Sequence, residues 1–398
     1  MPATATASKP TVAQPARAAL PAKKAAPLPA PHMSGPRLFQ VMRVGLIVWT
    51  LVSTVLCLAS ILASQAHQEA SAGALIHAQD LRDLRSEVSQ AQAMALTSLI
   101  DPQGLGTDLW DSYGDSRTQI DLLLLGSAAS ATHPADLGDV ATALRAWQED
   151  LAVAHHDALG PGVAAGLISE ITTDYTEVRD AIDAELASAV DQGSSSTPFI
   201  VLSILASSLG GLGFVVVLIL TARRSHRVIN IGLSVGLLAI IAAIVSVGIY
   251  ANHSGQISYT YSKIASWSQA QSDTWDAHSE DALSILEPDS WQTHVLSATG
   301  LMTSVSASYP STSVSALVTD QATITATDDL SARSNLVLNG SSWQTTSAAI
   351  SSSIDSARPD SASLVVPALG YVVTVATCCV IAIIATLAGI HARTKEYS

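Results

Sequence analysis

Four uncharged, apolar runs, at about 38–64, 198–222, 228–251 and 364–390, govern how this chain can fold. Each is longer than the ~20 residues that a helix needs to cross the hydrocarbon core of a bilayer. Unpaired backbone amides are not tolerated in lipid, so each run is expected to close its own hydrogen bonds as a helix. No Asp, Glu or Lys interrupts them, and only Arg43, near the start of the first, is basic. Proton relays and ion paths place ionisable groups inside the membrane, so a pump or transporter is disfavoured.

The charges outside the runs are sorted by sign. The N-terminal stretch carries Lys9, Arg17, Lys23, Lys24, Arg37 and Arg43 without an acid. The short link between the second and third runs carries Arg223, Arg224 and Arg227, and the C-terminal stretch carries Arg393 and Lys395 against Glu396. By the positive-inside rule these three parts are cytoplasmic, which predicts a multi-pass protein of the cell membrane with both termini inside. Segment 65–197 holds 21 acids against 5 bases and segment 252–363 holds 11 against 3, so 32 of the 33 acids are expected on the outer side.

The first run is too long for the core of a signal peptide and follows a Pro/Ala-rich stretch, so it reads as a retained anchor. Thr54-Val55-Leu56 lacks the small residue that lipoprotein cleavage would require before Cys57. Cys378 and Cys379 also fall within a run, leaving no cysteine to staple either acidic segment.

Within 65–197 the apolar spacing predicts four helices. Leu81, Leu84, Val88, Ala91, Ala95 and Leu99 extend the first span outward to a stop at Asp101-Pro102. Trp110, Tyr113, Arg117, Ile120 and Leu124 form a second seam. Leu137, Val140, Leu144, Trp147 and Leu151 form a third, and Leu167, Ile171, Tyr175, Val178, Ile182, Leu186 and Ala189 a fourth that descends into the second span. The segment 252–363 repeats the plan: Ala282-Leu283-Ser284-Ile285-Leu286-Glu287-Pro288 resembles Ala95–Pro102 with one gap, and Trp291 and Trp343 echo Trp110 and Trp147. The predicted fold is therefore an all-α membrane protein, with four transmembrane helices and two extracytoplasmic four-helix bundles as an internal repeat. Its parts are a disordered basic tail (1–37), span one (38–64), bundle one (65–197), span two (198–222), a cytoplasmic loop (223–227), span three (228–251), bundle two (252–363), span four (364–390) and a tail (391–398).

Chemistry is sparse. No phosphate loop, nucleophile elbow or metalloprotease helix is present, so no catalytic residue, cofactor or metal site is assigned and an enzyme is not expected. His155-His156-Asp157 is the best metal candidate, but adjacent histidines leave a helix on different sides. Glu170, Asp174, Glu177 and Asp180 form an acidic stripe that reads as solvated surface. Asp101, Pro102 and Trp110, with Glu287, Pro288 and Trp291, mark the membrane-distal turns and are the candidate partner-docking tips. Arg223, Arg224 and Arg227 are the candidate cytoplasmic output surface, since the inner parts are too small for an output domain. Nothing points to a nucleic-acid partner.

Taken together, the basic Pro/Ala-rich tail, four spans, two acidic helical segments and paired Ala-Leu and acid-Pro stretches resemble tandem extracytoplasmic four-helix-bundle sensors. More narrowly, they resemble the GlnX-like family of actinobacterial four-span membrane proteins. That resemblance implies a relay between an extracytoplasmic solute-binding lipoprotein and a cytoplasmic Ser/Thr protein kinase in the sensing of aspartate and glutamate. Two other roles remain open: direct sensing of a small ligand between the helices of the first bundle, and a non-switching envelope scaffold.

Overall fold

The computed structural model describes residues 35–102, 104, 106–131, 137–159, 163, 165–193, 197–225, 231–359 and 364–396. The N-terminal tail, the turn at 133–136 and Arg227 thus lie outside the described residues. Eleven helices and no strands occur among those described: α1 (Gly35–Ile100), α2 (Gly106–Ser130), α3 (Gly138–Ala158), α4 (Ala165–Gln192), α5 (Thr197–Ser225), α6 (Ile231–Leu286), α7 (Trp291–Ser308), α8 (Thr312–Thr325), α9 (Leu330–Asn339), α10 (Ser342–Ala357) and α11 (Leu369–Glu396). Four helical stretches, carrying α1, α5, α6 and α11, are long and apolar enough to cross a membrane.

α1 runs for 66 residues and α6 for 56. At 1.5 Å per residue they reach about 100 and 85 Å. Between Pro36 at the start of α1 and Pro102 just past its end there is no proline, and none lies within α6 before Pro288. Their apolar halves meet α5 and α11 in a four-helix stem, with Val44, Val48, Leu51 and Val55 of α1 turned outward. Small residues set this packing. A Cβ on Gly213 would stand 2.5 Å from the Trp49 ring, and one on Gly236 would stand 2.6 Å from Phe214. The Trp49 indole donates to Leu209 O at 2.9 Å. The glycines of α5 therefore serve helix approach within one chain.

Beyond the stem lies a helical head with α1 and α6 at its centre. Ala91–Leu99 of α1 are buried on every side, as are Ser272–Ser279 of α6. The remaining head helices surround them, α2–α4 beside α1 and α7–α10 beside α6, over a main apolar core to which both sets contribute. The α1, third and fourth seams fall on this core as spaced, although Leu167 and Leu186 are only partly buried. On α2 the expected Arg117 is exposed and Ser116 takes the inner position.

Three boundaries differ from the sequence reading. α6–α10 make five helices instead of four, because Asp329 caps a new helix by accepting from Ala332 N at 2.7 Å and so separates α9 from α8. α4 ends at Gln192, followed by Gly193, and α5 begins at Thr197 with Pro198 in its first turn. α11 begins at Leu369 rather than near 364, since Pro367 disfavours helix before it. There the Val366 amide donates to Gln68 Oε1 and the Ala368 amide to Gln65 Oε1, each at 3.0 Å.

Candidate functional site

Both acid-Pro turns end a long helix. At the first, the Gly104 and Gly106 amides donate to Asp101 O at 3.2 and 2.9 Å. A Cβ on Gly106 would meet Ser98 O at 2.3 Å, so this tight return needs a residue without a side chain. At the second, Glu287 N donates to Leu283 O at 2.8 Å and Ser290 N to Glu287 O at 3.1 Å. Ile100 packs on the cluster of Val295, Ile324 and Val337 together with Trp291, which brings the two tips to one end of the head.

Neither tip tryptophan projects freely. Trp110 lies flat on His155, with ring centroids 3.7 Å apart and 2° between planes. The His155 side of the His-His-Asp candidate is therefore held against an indole, and among the described residues no three His, Cys, Asp or Glu side chains converge as a metal site. Trp291 is covered by the Arg333 guanidinium, 4.0 Å from its ring centroid. Arg333 is buried and donates to the carbonyls of Ser284 (3.1 Å), Thr327 (3.0 Å) and Asp328 (3.4 Å). On α7 His294 bonds Glu280 at 2.7 Å and Glu287 at 3.2 Å, and the bond to Glu280 raises its pKa above the ordinary histidine value. Glu170, Glu177 and Asp180 are exposed, as expected of a solvated stripe, whereas Asp174 is half-buried. Arg223 and Arg224 fall in the last turn of α5, with Arg223 exposed.

A buried polar seam joins α1, α4 and α6 midway along the head. Ser89 Oγ lies 2.8 Å from Ser272 Oγ and 2.9 Å from the Tyr175 hydroxyl, which donates to Asp276. Arg179 pairs with the other Asp276 oxygen at 3.3 Å. Burial raises the Asp276 pKa in spite of these partners. Arg85 reaches Asp183 at 2.8 Å and Gln269 at 2.9 Å, and Gln269 in turn donates to Asp273 at 2.6 Å. At the lower end of the head Arg358, past α10, pairs with Asp83 of α1 at 2.7 Å.

A cavity of about 220 Å³ opens between α6, α8, α9 and the start of α10. Its floor holds His278, Asp281, Gln321 and Trp343, all at most 5% exposed. Gln321 Nε2 donates to Asp281 Oδ1 at 2.8 Å. His278 stacks on Trp343 at 4.1 Å and meets Thr97 Oγ1 of α1 at 3.3 Å. Desolvation pushes the Asp281 carboxyl up to about 7 and the His278 imidazole down to about 3.

No family model, curated protein or solved structure matches this chain.

Sequence reasoning located the ends of the long helices and marked Tyr175 and Trp343, but missed the polar partners that build the seam and the cavity floor. Ser272–Glu280 is rich in Ser and Asp, and carries no apolar spacing to mark the face that is buried. The one available signal was Trp275 within that polar stretch, since a large apolar ring there needs a buried position; it is 3% exposed.

Proposed function

We propose that the chain is a transmembrane relay, in which a partner docked on the tips of the head is sensed at the inner face through α1 and α6. The observation that carries this reading is that both helices pass unbroken from stem to tip, so a displacement at Asp101 or Glu287 has a stiff path to the far side of the membrane. The apolar stem and the charge partition support a cell-membrane location with an extracytoplasmic head and cytoplasmic termini.

The head reads as a duplicated bundle. Cross-helix hydrogen bonds between α1 and α6 keep a sequence offset between 181 and 186 from Gln68–Tyr250 to Thr97–His278. The two acid-Pro turns are offset by 287 − 101 = 186. Each residue of α1 thus meets approximately its own repeat mate on α6, as in a parallel homodimer.

The partners follow from the resemblance: a solute-binding lipoprotein loaded with aspartate or glutamate at the tips, and a Ser/Thr protein kinase on the Arg223–Arg224 side. Crosslinking in native membranes, then affinity purification and mass spectrometry with and without external aspartate or glutamate, tests the relay. Recovery of a binding lipoprotein and a kinase in ligand-dependent amounts is expected. A second reading, a scaffold that does not switch, is favoured by the main apolar core that both halves of the head share. Ligand-indifferent recovery of envelope-building proteins alone would replace the relay with that scaffold.

A further inference from the structure

The cavity between α6, α8 and α9 is chemically unlike the rest of the head. Asp281 is 3% exposed and accepts one hydrogen bond from Gln321, while its other oxygen has no partner among the described residues. The nearby cation, Arg333, is committed to three backbone carbonyls and the Trp291 face. Its attraction lowers the Asp281 pKa less than burial raises it. His278, also buried, is held neutral by the same loss of water. A buried carboxylate without a counter-charge is expensive to ionise, and a cation placed beside it removes that penalty.

The remaining surroundings select among cations. Met302, Leu317 and Trp343 supply an apolar wall, and Asp320 stands exposed at the mouth, adding negative potential along the approach. The volume of about 220 Å³ has room for a small molecule. We propose that this cavity binds a small molecule carrying a protonated primary amine on a short apolar body, with the ammonium seated on Asp281 and the carbon chain against Trp343. An acidic amino acid is a poor fit, because it would bring further negative charge to two carboxylates. The site goes beyond the relay reading and stands or falls separately from it.

The test uses the purified full chain in nanodiscs at pH 8, following intrinsic tryptophan fluorescence and the thermal transition. The titrants are n-butylamine, its uncharged isostere n-butanol, and butyrate. Saturable binding of butylamine is expected, with butanol at least about tenfold weaker and butyrate inert. Asp281→Asn should weaken butylamine by about 30-fold or more, towards the level of butanol. Thr323→Trp, at the exposed mouth, should block both while leaving the unliganded transition in place. No saturable response to butylamine, equal binding of butanol, or undiminished amine binding by Asp281→Asn would each overturn the proposal. Should Asp281→Asn fail to fold, the amine-to-alcohol contrast and the mouth variant still decide it.

Discussion

Arg333 is the least expected buried residue of the head. Its guanidinium is 1% exposed and satisfies carbonyls at the end of α6 and in the α8–α9 link. Arg333→Met would leave those acceptors without donors, at about 1–3 kcal/mol for an unsatisfied buried group. A loss of about 3 kcal/mol is expected, read as a lowered thermal transition of the full chain. Arg333→Lys should recover only part of it, since a point charge cannot serve several carbonyls in a fork. Asp281 carries a pH dependence of definite sign. Its folded pKa of about 7 lies above the ordinary carboxylate value, so the folded state holds the proton more tightly. Its contribution is present at low pH and is lost as pH rises from about 4 to about 7. Asp281→Asn should flatten that part of the stability-against-pH profile and stabilise the protein at pH 8 by up to about 4 kcal/mol. Neither role was legible in the sequence, where no apolar spacing marks Arg333 or Asp281 as buried. Burial at these positions is imposed by neighbouring helices distant in sequence, such as Trp291 over Arg333 and Gln321 over Asp281.

At the scale of elements, the long helices were the most readable feature. An apolar span, an uninterrupted three-and-four spacing and the absence of proline between Pro36 and Pro102 define α1 almost completely. The division of α8 from α9 was not readable, because it depends on Asp329 capping and on Arg333 holding the link. The contact of α1 with α6 was hidden as well, being made by polar pairs such as Arg85–Gln269, Ser89–Ser272 and Thr97–His278 that carry no apolar spacing. That contact offers a direct test of switching. Ser89 and Ser272 have hydroxyls 2.8 Å apart, so Ser89→Cys with Ser272→Cys should form a disulfide under mild oxidation, detectable by reducing-dependent mass analysis of an internal digest. If the relay works by sliding or turning α1 against α6, oxidation should abolish the ligand dependence of kinase recovery and reduction should restore it. A scaffold would be indifferent to the lock.

For the whole molecule, stem and head are coupled where Gln65 and Gln68 accept from the backbone ahead of α11. Gln68 also donates to Ser254 at 3.1 Å, so one side chain ties α1, α6 and the approach to the last span. Gln68→Leu should leave the Val366 amide unpaired and loosen this junction by about 1–3 kcal/mol. Faster amide exchange in the segment from Leu364 to Ala368, with the tips unchanged, is the expected readout. The four spans and the charge partition were plain in the sequence because they follow from composition. The shared core was not, since apolar spacing says which face of a helix is buried and not which helix covers it.

The same two glutamines set a condition on biogenesis. α1 is synthesised first, yet its side-chain acceptors wait for amides 298 and 303 residues downstream. A nascent chain halted after α10 would hold both acceptors open at the junction, with the flank of α1 that receives α11 bare. Arrival of the chain through Ala368 into α11, rather than insertion of the first span, is then the step that closes the junction.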